Sequence, residues 1–273
     1  MMTIYSHSRL STFENCNLKF RYKYLDKLIP PIETSIEAHL GKVVHGALEW
    51  LYMQVKEGRV PSLDEVIIYY SNNWKETWED NIKNVKKRFT PKEYFNQGVG
   101  FILDYYMRNK PFTDNTIAVE KKVYIDLDKE GKYKIIGFID RLAYNLETKE
   151  YEVHDYKTSA NLPQPESFDN DRQLAMYSIA IKNLFGEDKK VSLVWHYLAF
   201  NRKITSKRTN EQLNKLKKDT IELINKIESE LDFKPNKSYL CGWCEFKEIC
   251  PIWNKNPPKN KNDAQKMLDN LKK

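Results

Sequence analysis

Apolar residues recur with a helical period through residues 29–110. The clearest stripe has apolar side chains three and four positions apart, which predicts an amphipathic helix with one face in a core. Start signals at Pro61-Ser62 and Thr90-Pro91 predict further helices over 62–80 and 92–109. The members of the first stripe are Ile36, Leu40, Val43, Val44, Ala47, Leu48 and Leu51.

The second half of the chain changes to strand patterning. Residues 116–145 predict a pair of strands, 151–157 a third strand and 191–200 a fourth, with a helix at about 168–185 before the fourth strand. Together with the upstream helices this order is αβββαβ. A last amphipathic stripe predicts a helix over 210–231.

Five aromatic residues fall on the predicted helices, and two interpretations are open for them. Large aromatic side chains at helical spacing pack into a core, and exposed ones stack on unpaired bases. The five are Trp74, Trp78, Tyr94, Tyr105 and Tyr106.

Two carboxylates and a lysine end the second and third predicted strands. Strand alternation places Asp155 and Lys157 on one face, and Asp140 lies in the adjacent strand. Phosphodiester cleavage needs a hard divalent cation with oxygen ligands, and Asp140 and Asp155 supply such oxygens. The alternative for an isolated D-x-K triplet is a solvated cross-strand pair.

The chain has four cysteines, one near its beginning and three near its end. Cys241, Cys244 and Cys250 form a C-x2-C-x5-C run, a metal-ligand spacing that needs a fourth ligand, and Cys16 is the cysteine left to supply it. No secretory signal precedes them, which favours thiolates in a cytoplasmic protein over disulfides. Zinc and iron–sulfur both accept four thiolates, so spacing does not choose between them.

Composition fits a packed, nucleic-acid-binding domain without requiring one. The 273 residues are 41% hydrophobic and 13% aromatic, enough for a core, and carry a net charge of +7. This charge suggests a polyanionic partner or serves solubility. Basic clusters at Lys86-Lys87-Arg88, Arg202-Lys203 and Lys207-Arg208 are phosphate contacts or solvated faces. No ATPase Walker motif is present, which excludes a self-contained helicase.

Several motifs occur in the order seen in one enzyme family. They are the segment 6–16, G-K-V-V-H ending at His45, G-F-I-D-R with Asp140, D-Y-K-T with Asp155 and Lys157, and Q-L-A-M-Y with Gln173 and Tyr177. The chain resembles the RecB-like branch of the PD-(D/E)xK nucleases. This branch includes CRISPR-associated exonucleases with four cysteines and AddB-type helicase-nuclease subunits.

The resemblance implies an α/β fold. Its restriction-endonuclease-like αβββαβ core has a mixed sheet, a helical N-terminal insertion and a C-terminal iron–sulfur segment. A single nuclease domain is expected over 1–253, followed by a flexible basic tail with a short terminal helix over 254–273. The domain would comprise an N-terminal segment 1–28, a helical region 29–110, the core 111–235 and a cysteine segment 236–253.

The resemblance also implies the catalytic groups. His45, Asp140 and Asp155 are expected to hold Mg²⁺ or Mn²⁺, with Asp140, Asp155 and Lys157 acting in catalysis. A neutral imidazole is a competent Mn²⁺ ligand, although a lone helical histidine is more often structural. Glu120 is either an extra ligand or DNA contact, or a solvated strand residue.

The resemblance also implies that Gln173 and Tyr177 guide the substrate strand, and their i, i+4 spacing places both on one helix face. By the same resemblance, the four cysteines bind a [4Fe-4S] cluster that clamps the two ends of the domain, with zinc as the alternative.

The resulting hypothesis is a Mg²⁺- or Mn²⁺-dependent DNA exonuclease in end processing, recombination or CRISPR adaptation. DNA with single-stranded ends is the expected partner. A helicase or CRISPR adaptation partner and self-assembly are compatible with the resemblance, and no membrane is expected. The alternative is a catalytically silent DNA-binding subunit of a larger nuclease complex.

Overall fold

The computed structural model describes residues 4–31, 34–79, 81–85, 88–169 and 171–271. Lys86 and Lys87 of one predicted basic cluster lie outside these ranges. None of the described helices is long and apolar enough to cross a membrane. The α-helices are α1 (His7–Asn15), α2 (Asn17–Phe20), α3 (Ile36–Lys56), α4 (Leu63–Glu76), α5 (Pro91–Asn109), α6 (Pro165–Asp169), α7 (Arg172–Phe185), α8 (Asn210–Ser229) and α9 (Lys261–Asn270).

The strands are β1 (Tyr5–Ser6), β2 (Thr116–Asp126), β3 (Lys134–Asn145), β4 (Glu150–Lys157), β5 (Val191–Tyr197) and β6 (Arg202–Lys207). They form one mixed sheet, six-stranded over the described residues. β3 has β2 along one edge, antiparallel, from residue 134 to residue 143. A strand has only two edges, so β4 and β1 share the other: β4 pairs with 141–145 and β1 with 135–136.

The observed elements confirm the predicted α/β class and the αβββαβ order. Capping explains why the helices begin where the sequence indicated. Ser62 and Glu65 form a reciprocal capping box at α4, and Thr90 and Glu93 form another at α5, each satisfying backbone N–H groups that the first turn leaves free. The helix expected at 168–185 is divided, because the Asp171 side chain accepts a hydrogen bond from the Leu174 backbone N–H and caps a new helix that begins at Arg172.

Two apolar cores lie against the sheet. One joins α1, α7 and α8 to strand residues such as Val153, and the other joins α3, α4 and α5 to Tyr156. The helical aromatics belong to the second core. Tyr105 is fully buried, Trp74 is 7% exposed and Trp78 packs against the core at partial exposure. The core interpretation of these five aromatics is therefore confirmed.

A third, smaller core lies near the cysteines. It contains Leu28, Phe246 and Ile249 together with Ala264 and Leu268 of α9. The last two lie four residues apart on one helix face, and this apolar pair docks α9. The segment expected to be a flexible tail thus contains the predicted terminal helix, and that helix packs against the rest of the chain.

Candidate active site

The candidate site lies where β3 and β4 separate. The two strands pair from Asn145 opposite Glu150 to Arg141 opposite His154, and no further. β4 nevertheless continues along β5 to Lys157. At the fork, the backbone N–H of Tyr156 donates to Asp140 Oδ2 at 2.9 Å. A carboxylate therefore replaces the ladder hydrogen bond that β3 would otherwise provide.

The strand alternation breaks at the same place. Asp140 and Arg141 are consecutive, yet both contact α3: Asp140 Oδ2 lies 3.3 Å from His45 Nδ1, and the Arg141 guanidinium lies 4.0 Å from the Tyr52 ring centre. On the facing strand, Glu120 has a left-handed φ of +43°. This backbone conformation is uncommon outside glycine. It turns Glu120 toward Asp140.

His45, Glu120 and Asp140 form the candidate metal centre. Each offers a ligand atom within 4.8 Å of the others, and no other such group of three occurs among the described residues. The remaining ring nitrogen, His45 Nε2, donates to the Tyr156 carbonyl at 2.7 Å. One imidazole nitrogen and carboxylate oxygens suit Mn²⁺, and the oxygens suit Mg²⁺.

Electrostatics mark this space as one that favours a cation. Burial lowers the pKa of His45, but the hydrogen bond and charge of Asp140, with the charge of Asp155, outweigh burial and raise it to about 9. Loss of water contact and the charges of Asp140 and Glu49 raise the pKa of Glu120 to about 7. Crowded carboxylates disfavour ionisation unless a positive charge joins them. Glu49, one turn after His45, was not predicted as a site residue.

Asp155 and Lys157 lie on the other side of the fork. Lys157 Nζ is 2.7 Å from Asp155 Oδ2, as strand alternation predicted for side chains on one face. Burial has the largest effect on the pKa of Asp155 and raises it. The charge of Lys157 lowers this pKa and the charge of Asp140 raises it, and the resulting pKa is about 6. Burial alone would lower the pKa of Lys157, but Asp155 raises it above its usual value. The partly buried ammonium therefore stays protonated beside the carboxylates.

The expected metal set and the observed group differ in one member. Asp155 was expected beside His45 and Asp140, and the geometric group has Glu120 in that place. Asp155 faces Lys157 but lies close enough for Asp140 and His45 to influence its pKa. The fork thus brings all five predicted groups, His45, Glu120, Asp140, Asp155 and Lys157, into one neighbourhood.

Gln173 and Tyr177 lie on α7, and their side chains form hydrogen bonds with residues at the fork. Lys157 Nζ donates to Gln173 Oε1 at 3.3 Å, and Gln173 Nε2 donates to Tyr177 Oη at 3.4 Å. The backbone N–H of Phe138 donates to Tyr177 Oη at 3.3 Å. β4 has left this edge of β3, so Tyr177 satisfies a donor that would otherwise lack a strand partner.

Tyr177 can reach the strand because Gly137 has no side chain. A Cβ built on Gly137 would lie 2.4 Å from Tyr177 Cε1. We expect Gly137→Ala to lower the free energy of unfolding by about 1–3 kcal/mol, because a buried ring must shift. Thermal or urea unfolding measures this. Gly100→Ala is the matched control, since a Cβ there meets nothing within 4 Å and should be neutral or stabilising. Equal stability of the two variants would contradict the proposed contact.

A buried polar network lies beneath the fork, and sequence reasoning did not predict it. Arg141 is 1% exposed; its Nε donates to Tyr156 Oη at 3.1 Å, and its Nη2 lies 2.9 Å from His154 Nδ1. His154 Nδ1 in turn lies 2.9 Å from His196 Nε2. Asp114 forms an ion pair with Arg141. These contacts fix the backbone of β3 and β4 next to Asp140 and Asp155.

The four cysteines line one cavity of about 160 Å³. Cys16 directly follows α1, and the other three cysteines lie in or just after the short turns at 239–243 and 247–249. The fold brings these two distant parts of the sequence together. Although they share the cavity, no three of their sulfurs lie within 4.8 Å of one another in the part of the chain described. Burial raises the pKa of Cys244 to about 11 and also raises that of Cys250.

A family model described as the PD-(D/E)XK nuclease superfamily matches residues 4–251. The chain belongs to this superfamily. Membership implies a phosphodiester hydrolase that acts on nucleic acid and uses divalent metal ions, and the His45 group is a candidate site for one. Among curated proteins, no match was found. One similar solved structure is titled "Crystal structure of SSO0001"; identity is 19%, coverage is 80% of this chain and 96% of that chain, and the TM-score is 0.33.

Proposed function

We propose that this superfamily member is a Mg²⁺- or Mn²⁺-dependent DNA exonuclease of the RecB-like branch. The observation that carries the proposal is the fork, where the His45, Glu120 and Asp140 group meets the Asp155–Lys157 ion pair. A structural ion pair needs no neighbouring cluster of ligands. A metal-dependent hydrolytic site combines a cation with an adjacent proton-donating or water-orienting group.

The residues divide into two roles. His45, Glu120 and Asp140 would hold the cation, with Asp155 close by as the further carboxylate. The bound cation supplies neutralisation of negative charge at phosphorus and acidification of a water. Lys157, held by Asp155 and Gln173, would place its ammonium where the attacking water or a phosphate oxygen accepts a hydrogen bond. Gln173 and Tyr177 keep this lysine and the β3 backbone in place.

End-labelled substrates test the activity. Single- and double-stranded DNA, labelled separately at each end, are incubated with the anaerobically purified protein and Mn²⁺. Stepwise release of label that Asp155→Ala abolishes would support an exonuclease and reveal its polarity. Internal cuts would reassign it as an endonuclease. No cleavage by the folded protein, with DNA binding retained, would favour the catalytically silent subunit.

The metal role of His45 leads to a separate prediction. We expect His45→Gln to raise the Mn²⁺ concentration for half-maximal cleavage by about 10- to 100-fold, because one ligand and its orientation are lost. A Mn²⁺ titration of the cleavage rate measures this. Met53→Ala, 44% exposed and two turns later on α3, is the control. A reduced maximal rate at an unchanged half-maximal concentration would assign His45 a role other than metal binding.

We infer also that the four thiols hold a [4Fe-4S] cluster. Zinc would need tetrahedral thiolates about 4 Å apart, given a Zn–S distance of about 2.3 Å. Over the described residues, no three of the sulfurs lie within 4.8 Å of one another. The shared cavity therefore supports one common site, and the choice of a cluster over zinc rests on the family resemblance. The raised pKa values of Cys244 and Cys250 agree with neutral thiols that ionise when metal binds.

A further inference from the structure

The β2–β3 ribbon continues past the fork with one face uncovered. Val123, Ile125, Ile135 and Ile139 point into the core formed with α1, α7 and α8. The alternate residues Lys122, Tyr124, Ile136 and Phe138 therefore form the opposite side of the ribbon, which we call the ribbon face. On the same side of the sheet, α3 contacts β3 at the candidate metal centre, where His45 meets Asp140.

The ribbon face combines exposed aromatic rings with a cation. Phe138 is 48% exposed and Tyr124 is 50% exposed. Lys122 is directly opposite Phe138, and Tyr124 is directly opposite Ile136, so the two rings are diagonal neighbours on one surface. Lys122 Nζ lies 5.3 Å from the Tyr124 ring centre. Over the described residues, neither ring packs against another aromatic side chain.

The ribbon face is continuous with the candidate active site. Phe138 precedes Asp140 by two residues on the same side of β3, a separation of about 7 Å along the strand. The aromatic residues of α4 and α5 are not available to contact a substrate, because they pack in or against the second core. A polymer lying on the ribbon face would therefore pass over Tyr124 and Phe138 and reach the carboxylates at the fork.

We propose that the ribbon face binds the unpaired strand of the nucleic-acid substrate. Bases stack on Phe138 and Tyr124, and Lys122 pairs with phosphate. Exposed rings accept any base, but only an unpaired one, because bases in a duplex already stack on each other. The lysine supplies charge complementarity to the backbone. This inference rests on the proposed nuclease function and adds where the strand lies and why a single strand is selected.

Binding without divalent metal tests the proposal separately from cleavage. Fluorescence anisotropy with a labelled oligothymidine and with a duplex of equal length is measured for wild type, Phe138→Ala, Tyr124→Ala and the double variant. We expect each single variant to weaken single-strand binding at least fivefold, with the double variant weaker still. Duplex affinity should change less. Phe185→Ala, 39% exposed and next to Tyr151 at the other end of β4, is the matched control.

The outcomes separate the two proposals. Unchanged oligothymidine affinity in the double variant, with thermal stability retained, would overturn the ribbon face as the binding surface, and a protein partner would then be its better occupant. Equal losses for single strand and duplex would overturn the stacking explanation. If the wild-type protein binds through these rings but never cleaves, the ribbon face stands and the nuclease activity falls.

A kinetic measurement provides a second check in the active protein. Lys122→Gln should raise KM for single-stranded DNA severalfold and leave kcat nearly unchanged, because Lys122 contacts the substrate away from the reacting phosphate. The KM effect should shrink as salt rises, since it depends on a phosphate contact. A loss confined to kcat would contradict a binding role for Lys122.

Discussion

Replacing Lys157 with alanine is expected to reduce kcat for DNA cleavage by about 10³-fold or more. The ammonium is held between Asp155 at 2.7 Å and Gln173 at 3.3 Å, beside the candidate metal centre. Removal of one preorganised donor from an active site typically costs 10²- to 10³-fold, and Lys157 carries a full charge. Lys157→Met, which keeps the aliphatic stem but not the charge, should lose a similar factor.

The comparison variant separates chemistry from folding. Lys190→Ala removes an exposed lysine just before β5, at the opposite end of the sheet, and should cleave at the wild-type rate. Circular dichroism and thermal unfolding then establish that the Lys157 variants are folded. Normal turnover in a folded Lys157→Ala protein would reject the assigned mechanism. Asp155 and Lys157 would then form only a structural ion pair.

Strand periodicity was sufficient to predict the Asp155–Lys157 contact, because a side-chain period of two is a local property of an extended chain. The position of Asp140 beside them needed pairing of β3 with β4, which the strand order implied. Glu120 could not be assigned from periodicity. Its φ of +43° interrupts the regular alternation of an extended strand, and only the folded ribbon shows that Glu120 turns toward Asp140.

The unpredicted elements share a physical cause. β1 has only two residues, which is too short for a hydrophobic pattern. β6 has six residues that are mostly polar and exposed, so it has no strong hydrophobic pattern either. Helix starts were predictable because caps are local in sequence. The buried Arg141 network was not, since each of its members is polar and would be placed on the surface by composition alone.

That network explains how the fork keeps its geometry. Two strands that separate lose ladder hydrogen bonds, and each buried donor left behind costs about 1–3 kcal/mol. Asp140 and Tyr177 satisfy two such donors directly. Arg141 ties Tyr156 and His154 of β4 to β3 from beneath. The site is therefore built on hydrogen bonds that compensate for separated strands, which positions carboxylates where a continuous sheet would have none.

Cys244→Ala is expected to remove the cluster and to destabilise the protein strongly. Cys16 and the three C-terminal cysteines line one cavity, although the chain between them forms most of the domain. A cross-link that closes a loop of roughly 200 residues restricts the unfolded chain by on the order of 5 kcal/mol. Without that link, α9 and the small core around Phe246 are held to the N-terminal segment by weaker contacts, such as the packing of Leu28 and the Lys19–Glu245 ion pair. We expect a fall in Tm of more than about 10 °C.

Metal analysis decides what the thiols bind. The [4Fe-4S] assignment is supported if wild type contains iron and acid-labile sulfide in near-equal amounts and Cys244→Ala contains neither. Stoichiometric zinc in wild type would instead assign the thiols to a zinc site. Ser238→Ala is the control, because it alters the cap of the turn at 239–243 but leaves every thiol in place. If the Cys244 variant keeps its iron and its Tm, the iron is bound without this thiol, and the four-cysteine cluster hypothesis is wrong.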